Sequence, residues 1–290
     1  MGILEFTGER FTPECEREIR YEHLHRYAFA ATLCQGSEVL DAACGEGYGS
    51  AILAREARRV VGIDLEEEAI RHARGRYGDL RNVAFEVADC TRLPFEDQSF
   101  DRVVSFETLE HLEDQDGMLS EFRRVLRPPG LLILSSPDKA VYSEQQGFDN
   151  EFHVKELYRP ELEALLGAHF PHYRLLGQKL AFHSMIWPLE ELDKVVLQQA
   201  GEGGIVEPGG ITSAPVYFVA LCATEQSALP SRQGTLWLLD DATESVYQHY
   251  RGEIRRNMAA GGIIAERDRE IEELQRKARK SWLRRLLSRE

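Results

Sequence analysis

Short apolar runs alternate along the chain with stretches in which apolar residues recur every three or four positions. The apolar runs predict buried strands, and the amphipathic stretches predict helices that cover them. The predicted strands are 37–43, 59–64, 83–89, 100–106 and 131–137. The predicted helices between them are 49–56, 66–76 and 118–126. Strands that alternate with helices in this way indicate an α/β fold with a doubly wound, mostly parallel sheet.

The flanking segments extend this pattern on both sides. Residues 9–33 predict one or two helices, and residues 160–168 predict another. Two more strands are predicted at 173–182 and 214–223, separated by a flexible glycine-rich loop at 201–210. The predicted organisation is an N-terminal helical segment (1–34), a main domain (35–225), a linker (226–240) and a helical tail (241–290).

Composition places the chain among globular proteins, because 43% of its residues are hydrophobic and 29% are charged. No apolar run approaches the ~20 residues that cross a bilayer, and the first residues lack the apolar core of a signal peptide. The five cysteines are scattered without paired spacing. They indicate reduced thiols, no zinc site and a cytoplasmic location.

Charge is spread unevenly. The net charge is −14, but residues 265–290 hold nine Lys or Arg against six Asp or Glu, so they carry +3. The remaining 264 residues therefore carry −17. An acidic body of this kind argues against nucleic acid as a partner.

Three glycines follow the first predicted strand in "LDAACGEGYGS" (40–50). A bare strand-to-helix turn does not require glycine at positions 45, 47 and 49 together. A dinucleotide site of the G-x-G-x-x-G/A kind is a second interpretation. Asp41 closes the strand just before this loop, however, and a carboxylate there repels a pyrophosphate and suits a cationic amine.

Acidic residues end the next two strands as well. Asp64 ends the strand in "VVGIDLEEEAI", and Asp89 ends the one in "VADCTRLPF". Together with "FDRVVSFETLEHL" (100–112), these motifs resemble, in order, those of class I S-adenosylmethionine-dependent methyltransferases. The resemblance covers roughly residues 35–180 and implies a seven-stranded, Rossmann-like sheet with N-terminal helices over the cofactor site.

The resemblance also implies a role for each matching residue. Asp41 would lie near the α-amino group of the cofactor, and the backbone of Gly45 and Gly47 would approach its methionine part. Asp64 would accept hydrogen bonds from the ribose, and Asp89 and the Cys90 N–H would face the adenine. Phe106 and Glu107 would lie beside the sulfonium. Ala43 and Leu65 are assigned to the same site. Arg26 either pairs with the cofactor carboxylate or lies exposed on an amphipathic helix.

The flanking motifs carry the information about the acceptor. "GERFTPECEREIRYEHLHRYAFA" (8–30) and "SSPDKAVYSEQQGFDNEFHVKELYRPELEALL" (135–166) resemble methyltransferases of bacterial surface-polysaccharide (O-antigen) biosynthesis, although Glu151 replaces a usual proline. The resemblance implies an O-methyltransferase acting on a sugar hydroxyl of a glycan or glycosylated acceptor. A small-molecule methyltransferase with a quinone-like or natural-product acceptor is the alternative. A cofactor-binding protein without turnover is a third hypothesis, which the intact motifs disfavour.

A sugar hydroxyl is a poor nucleophile and benefits from a general base. The candidates are His153, His111 and Glu110. His153 lies after the fifth strand, where an acceptor pocket is expected, or it only pins that loop; His111 is expected to start a helix after the fourth strand. Tyr142 and Asp149 are further pocket candidates. No His/Asp cluster is evident in the sequence, so no metal is expected.

The tail differs from the acidic body because it is basic and amphipathic. Ile271, Leu274, Ala278, Trp282 and Leu286 recur at helical spacing, and seven cations lie between Arg276 and Arg289. This pattern is typical of a membrane-surface helix, a coiled-coil partner or a helix folded onto the core. Residues 265–290 are therefore predicted to contact the inner membrane face peripherally, to bind a coiled-coil partner or to form a homo-oligomer.

Overall fold

A computed structural model describes residues 18–147, 150–181, 183–186, 195–201, 204–206, 211–231, 235–242 and 244–287. The chain divides into two compact units, Met1–Leu239 and Asp240–Glu290. The strands are β1 Glu38–Ala42, β2 Arg59–Asp64, β3 Val83–Val87, β4 Phe100–Ser105, β5 Leu126–Pro137, β6 His172–Gln178, β7 Gln199–Gly201, β8 Gly204–Val206 and β9 Tyr217–Ala223. The α-helices are α1 Glu18–Leu33, α2 Tyr48–Leu53, α3 Glu67–Tyr77, α4 Gln115–Val125, α5 Arg159–His169 and α6 Ser245–Leu287.

Seven strands form one sheet in the order β3-β2-β1-β4-β5-β9-β6. The pairs from β3 to β5 are parallel, whereas β9 runs antiparallel to both β5 and β6. The predicted Rossmann-like α/β fold is therefore confirmed, but the sheet is mixed and not wholly parallel. The strand order reverses beside β1, and the carboxyl ends of β1 and β4 meet at this point, where α/β proteins bind ligands.

The core lies on both faces of the sheet. Because successive strand residues point to opposite faces, Leu40 packs on the face covered by α4 and α5, and Val39 packs on the face covered by α1 and α2. Val103 and Val104 divide in the same way. Two covered faces explain why neighbouring positions at the centre of these strands are both apolar, Val39–Leu40 in β1 and Val103–Val104 in β4, instead of alternating with polar residues.

Three local expectations are corrected. β5 starts at Leu126 instead of residue 131 and includes the cis Pro128–Pro129 peptide, so "RPPG" lies within the strand. The loop at 201–210 begins with the short hairpin of β7 and β8. His111 ends a 3-10 turn, Leu109–His111, and does not start a helix; the helix begins at Gln115, which follows the side-chain cap of Asp114.

The predicted linker at 226–240 is attached in part to the first unit. Leu229 packs against the core, and the guanidinium of Arg174 donates to the carbonyls of Pro230 and Ser231. The ring of Trp237 lies 4.8 Å from that of Phe29. These contacts tie part of 226–240 to the first unit, and the predicted domain and linker boundaries stay predictions.

The tail forms one helix, α6, of 43 residues. Its described side chains include exposed Ile263, Ile264, Ile271 and Leu274. Most of the cations and apolar residues that predict a membrane-surface helix follow residue 277. Their side chains lie outside the described residues. The predicted membrane, coiled-coil and oligomer contacts therefore stay predictions. Within the described part of the chain, every helix is too short or too polar to cross a membrane.

Candidate active site

The glycine loop joins β1 to α2 through a series of left-handed residues. Ala43, Gly45 and Gly47 have φ of 58°, 54° and 88°. A Cβ on Gly47 would lie 2.7 Å from the Phe85 ring, so both backbone and packing require glycine there. A Cβ on Gly45 would meet nothing within 4 Å. The loop thus presents bare backbone to open space at Gly45, as a ligand cradle requires.

Tyr27 of α1 packs directly onto the third glycine. A Cβ on Gly49 would lie 2.1 Å from the Tyr27 ring. The Tyr27 hydroxyl donates to Asp41 at 3.1 Å, and the Ser50 hydroxyl donates to the other oxygen of Asp41 at 2.6 Å. Asp41 thereby joins α1, β1 and α2. Its predicted contact with a ligand amine stays a prediction, since each carboxylate oxygen already accepts one hydrogen bond.

Burial dominates the electrostatics of Asp41. The residue is fully buried, and this raises the pKa of its carboxyl to about 7 in spite of the two hydrogen bonds. The negative charge of Asp64 acts in the same direction. The loop is therefore built around a carboxyl group that takes up a proton readily.

Asp64 lies at the carboxyl end of β2, next to the glycine loop. One carboxylate oxygen accepts from the Gly45 N–H at 2.9 Å and the other accepts from the Glu66 N–H at 3.0 Å. The next residue, Leu65, is apolar and 70% exposed. A fixed carboxylate beside an uncovered apolar side chain suits a ligand with hydroxyls and a flat ring.

Asp89 and Cys90 follow β3. Asp89 is exposed, and one of its oxygens accepts from the N–H and the hydroxyl of Thr91, each at 2.8 Å. Cys90 is buried, which raises the pKa of its thiol to about 12. The thiol is therefore no nucleophile at neutral pH, and the predicted role of Cys90 belongs to its backbone N–H.

Arg26 of α1 is 2% exposed, so the interpretation as a surface arginine is wrong. Its Nη1 donates to Gln178 at 3.1 Å and lies 3.5 Å from Glu107, and the guanidinium stacks on the Tyr217 ring at 4.8 Å. The Nε and Nη2 atoms are buried without an acceptor. Two unpaired buried donors on one planar group match a carboxylate ligand.

The end of β4 carries Phe106 and Glu107. Phe106 is buried, with its ring 5.0 Å from that of Tyr27. Glu107 adopts φ of 52°, an unusual conformation for a residue with a side chain. Ser135 holds Glu107 in this conformation. The Ser135 hydroxyl accepts from the Glu107 N–H at 3.0 Å and donates to the Glu107 carboxylate at 2.6 Å. The Glu107 carboxylate is thus held between Ser135 and Arg26.

The three predicted base candidates come together in one cluster, which we call the acceptor cluster: Glu110, His111 and His153. One nitrogen or oxygen atom from each lies within 4.8 Å of the others. Glu110 is 1% exposed, and both of its carboxylate oxygens are buried without a hydrogen-bond partner. Burial raises the pKa of Glu110 well above its usual range, and the charge of Glu107 adds to the effect. The sequence offered no such grouping.

A hydrogen-bonded relay supports His153. Its Nδ1 lies 2.5 Å from a Glu156 carboxylate oxygen, and the Ser143 hydroxyl donates to the other oxygen of Glu156. Tyr142 stacks on the imidazole at 5.4 Å. A histidine with a carboxylate at Nδ1 presents Nε2 as its basic atom. Asp149, the remaining pocket candidate, lies outside the described residues.

Sequence reasoning missed Tyr27, Ser50 and Glu156. The spacing of His153 and Glu156 in "HVKE" was the available signal for the last of them, because residues three apart meet on one side of a turn. Nothing local marks Tyr27, whose partners Asp41 and Gly49 follow 14 and 22 positions later in the sequence.

Comparison with known proteins agrees with this geometry. Residues 40–134 match the family model described as "Methyltransferase domain". A probable S-adenosylmethionine-dependent methyltransferase of Mycolicibacterium smegmatis is 40% identical over 170 residues, 57% of this chain and 64% of that protein. Phosphoethanolamine N-methyltransferase 3 of Arabidopsis thaliana is 32% identical over 156 residues, 45% of this chain and 32% of that protein. The chain spans about 60% of the length of the mycobacterial relatives it matches.

Solved structures share the fold. The YcgJ protein from Bacillus subtilis superposes with a TM-score of 0.50 at 19% identity, over 70% of this chain and all of that one. The PH0226 protein from Pyrococcus horikoshii OT3 does so with a TM-score of 0.50 at 20% identity, over 76% and 99% of the two chains. None of the relatives named here is described as a polysaccharide enzyme.

Proposed function

We propose that the protein methylates a hydroxyl. The premise is that residues 40–134 carry a class I methyltransferase domain whose cofactor is S-adenosylmethionine. The acceptor we propose is a sugar hydroxyl of a glycan or glycosylated compound. The observation that carries the proposal is the placement of the acceptor cluster. Glu110, His111 and His153 follow β4 and β5 at the same sheet edge as the glycine loop, and the Arg26–Glu107 pair lies at the end of β4 as well.

The residues around the glycine loop would hold the cofactor. Asp64 and Asp89 would face its hydroxyls and its adenine, and Gly45 would leave room for it along the backbone, while Gly47 would keep the loop packed on Phe85. Ala43, Leu65, Cys90, Phe106 and Asp41 complete the set. When bound, S-adenosylmethionine would supply a sulfonium methyl group: the methyl carbon would bond to the acceptor oxygen as its bond to sulfur breaks, so that the cofactor becomes a neutral thioether and the acceptor hydroxyl gives up its proton.

Asp64→Ala is expected to weaken cofactor binding by ~1.5–3 kcal/mol, the usual loss when hydrogen bonds to a charged group are removed. The reason is that Asp64 offers the only carboxylate tied to the Gly45 backbone among the described residues. Calorimetric titration with S-adenosylmethionine measures the change. Unchanged affinity in a folded variant would refute the ribose assignment.

Arg26→Met is expected to weaken cofactor binding by a similar ~1.5–3 kcal/mol, since a charge-assisted pair with the carboxylate would be lost. Methionine keeps much of the length of the aliphatic stem and removes the guanidinium that stacks on Tyr217. The measurement is calorimetry with S-adenosylmethionine and with S-adenosylmethionine decarboxylated at its α-carbon. Wild-type protein should distinguish the two compounds and the variant should not; equal discrimination by both proteins would contradict the assignment.

On the acceptor side, the chain must bind a hydroxyl, orient it and remove its proton. His153, backed by Glu156 and Ser143, has the partners that make an imidazole basic at Nε2. Tyr142 and the acceptor cluster supply polar and aromatic groups of the kind that bind sugars. Positioning contributes much of the rate, because methyl transfer requires the oxygen in line with the methyl group.

A small-molecule acceptor, quinone-like or a natural product, is the second candidate. The phosphoethanolamine N-methyltransferases among the relatives favour small acceptors in general. Transfer of labelled methyl from S-adenosylmethionine to a panel of nucleotide sugars, cell-surface glycans, quinols and phosphoethanolamine tests both. Label in a sugar supports the proposal, label only in a non-sugar compound selects the second candidate, and no transfer to any acceptor contradicts both.

A further inference from the structure

We propose that Glu110, His111 and His153 bind one divalent first-row transition-metal cation, and that the acceptor oxygen coordinates to it. This proposal rests on the proposed function only for the role of the cation; the binding site itself rests on the geometry of the three side chains. Their donor atoms lie within 4.8 Å of one another. Two ligands ~2.1 Å from one ion lie up to ~4.2 Å apart, so small side-chain rotations bring the three into one coordination sphere.

The first observation is the state of Glu110. Its carboxylate is 1% exposed and neither oxygen has a hydrogen-bond partner. Among the described residues, no lysine or arginine forms an ion pair with it, and Arg26 is directed to Glu107 instead. A buried carboxylate without donors is costly. A cation bound between Glu110 and the two imidazoles would give this carboxylate a partner of opposite charge and reduce that cost.

The second observation is the orientation of the two histidines. His111 Nδ1 lies 2.9 Å from the carbonyl oxygen of Phe152, and His153 Nδ1 lies 2.5 Å from the Glu156 carboxylate. Both partners only accept hydrogen bonds, so each Nδ1 carries the proton and each Nε2 carries the lone pair. Metal-binding histidines show this arrangement, with a carbonyl or carboxylate behind the ring that fixes the tautomer.

The third observation is how the loop that carries His153 is fixed. The N–H groups of Val154 and Lys155 both donate to the Glu110 carbonyl at 2.9 Å. The buried Gln115 side chain bridges the carbonyls of Leu109 and Lys155, each at 2.9 Å. These bonds hold His153 against the Glu110–His111 turn without using the donor atoms themselves. The ligand set is thus built before an ion binds, as a site of defined geometry requires.

The ligand types select the kind of ion. Two imidazoles and one carboxylate suit Mn²⁺, Fe²⁺, Co²⁺ or Zn²⁺, whereas Mg²⁺ and Ca²⁺ prefer oxygen ligands alone. Three protein ligands leave coordination positions open for water or substrate. An acceptor hydroxyl bound there would have a lower pKa, so its proton can leave to water while the oxygen attacks. With the cation bound, His153 Nε2 is a ligand and the role of proton acceptor passes from His153 to water. Neighbouring hydroxyls of a sugar could occupy two such positions.

Co²⁺ titration of the untagged, chelator-stripped full chain tests the site directly, through visible absorption and bound metal after dialysis. We expect about one Co²⁺ per chain. Glu156→Gln, which alters the carboxylate behind His153, should weaken binding roughly 10- to 100-fold, and Glu110→Gln and His153→Gln should weaken it at least as much. His169→Gln is the matched control, because His169 on α5 pairs with Asp116 on α4 and its donor atoms are not grouped with those of the cluster; it should bind as the wild type does.

The outcomes separate the two proposals. Calorimetry with S-adenosylmethionine establishes that each variant is folded and cofactor-competent. Wild-type protein that binds cofactor but no Co²⁺ or Mn²⁺, or equal metal affinity in Glu110→Gln, would overturn the metal site and leave methyl transfer intact. Metal binding with the expected variant profile but no methylation of any acceptor would leave the site standing and refute the proposed function.

Discussion

His153→Ala is expected to lower turnover by about 10²- to 10⁴-fold, the usual contribution of a positioned proton-transfer group, with little change in cofactor affinity. The imidazole is held by Glu156, stacked on Tyr142 and placed beside Glu110, so its loss removes a group on the acceptor side alone. The same loss is expected if His153 acts through a bound cation. Single-turnover methyl transfer, together with calorimetry for S-adenosylmethionine, measures the two effects separately.

The matched control for that variant is His169→Ala. His169 also pairs with a carboxylate, Asp116 at 2.9 Å, but it is not one of the grouped residues of the acceptor cluster, so turnover should stay close to the wild-type rate. If His153→Ala also stays close to wild type while His111→Ala abolishes turnover, the essential imidazole is His111. If cofactor affinity falls in parallel with turnover in His153→Ala, the residue serves the cofactor side and our assignment is wrong.

Asp41→Asn is expected to flatten the pH dependence of stability. Burial raises the folded-state pKa of Asp41 to about 7 from a usual 3.8. A carboxyl whose pKa is raised on folding contributes stability that is complete below the unfolded pKa and lost as pH rises through the folded pKa. Between about pH 4 and pH 7 the cofactor-free wild-type protein should therefore lose up to about 4 kcal/mol relative to the variant.

Urea unfolding of both proteins across that pH range measures the difference in free energy of unfolding. Asparagine fits the site, since the hydroxyls of Tyr27 and Ser50 can each accept or donate. Other acids titrate alike in the two proteins and cancel in the comparison. Parallel stability curves from pH 4 to pH 8 would show that Asp41 is ionised in the folded protein as readily as in the unfolded chain.

Several parts of the fold follow from local pattern. β1, β2 and β4 match their predicted strands to within about two residues, because most of their residues are buried and each has adjacent apolar residues at its centre. The acids at strand ends come to one edge because parallel strands all point their carboxyl ends there. The direction of β9 was not predictable, since an apolar strand buried on both faces reads the same in either orientation.

The candidate site also has one part that the sequence predicts and one part that it does not. The glycine loop and Asp64 lie in one stretch of neighbouring strands, so spacing alone brought them together. The acceptor cluster depends on Val154 and Lys155 binding back to the Glu110 carbonyl, which is a tertiary contact with no periodic signal. The contacts of Leu229 and Trp237 have no periodic signal either: the sequence shows two isolated apolar residues, and only the fold places Leu229 on the core and Trp237 beside Phe29.

The position of β9 has a consequence for biosynthesis. β9 lies between β5 and β6, and all seven of its residues are buried. While the nascent chain is shorter than about 223 residues, β5 therefore keeps an open apolar edge and β6 has no neighbour in this sheet. Open edges of this kind invite pairing with other chains. The stretch that matches the domain family ends at residue 134, so a fragment cut to that boundary would lack the strand that closes its own sheet and would be prone to aggregate.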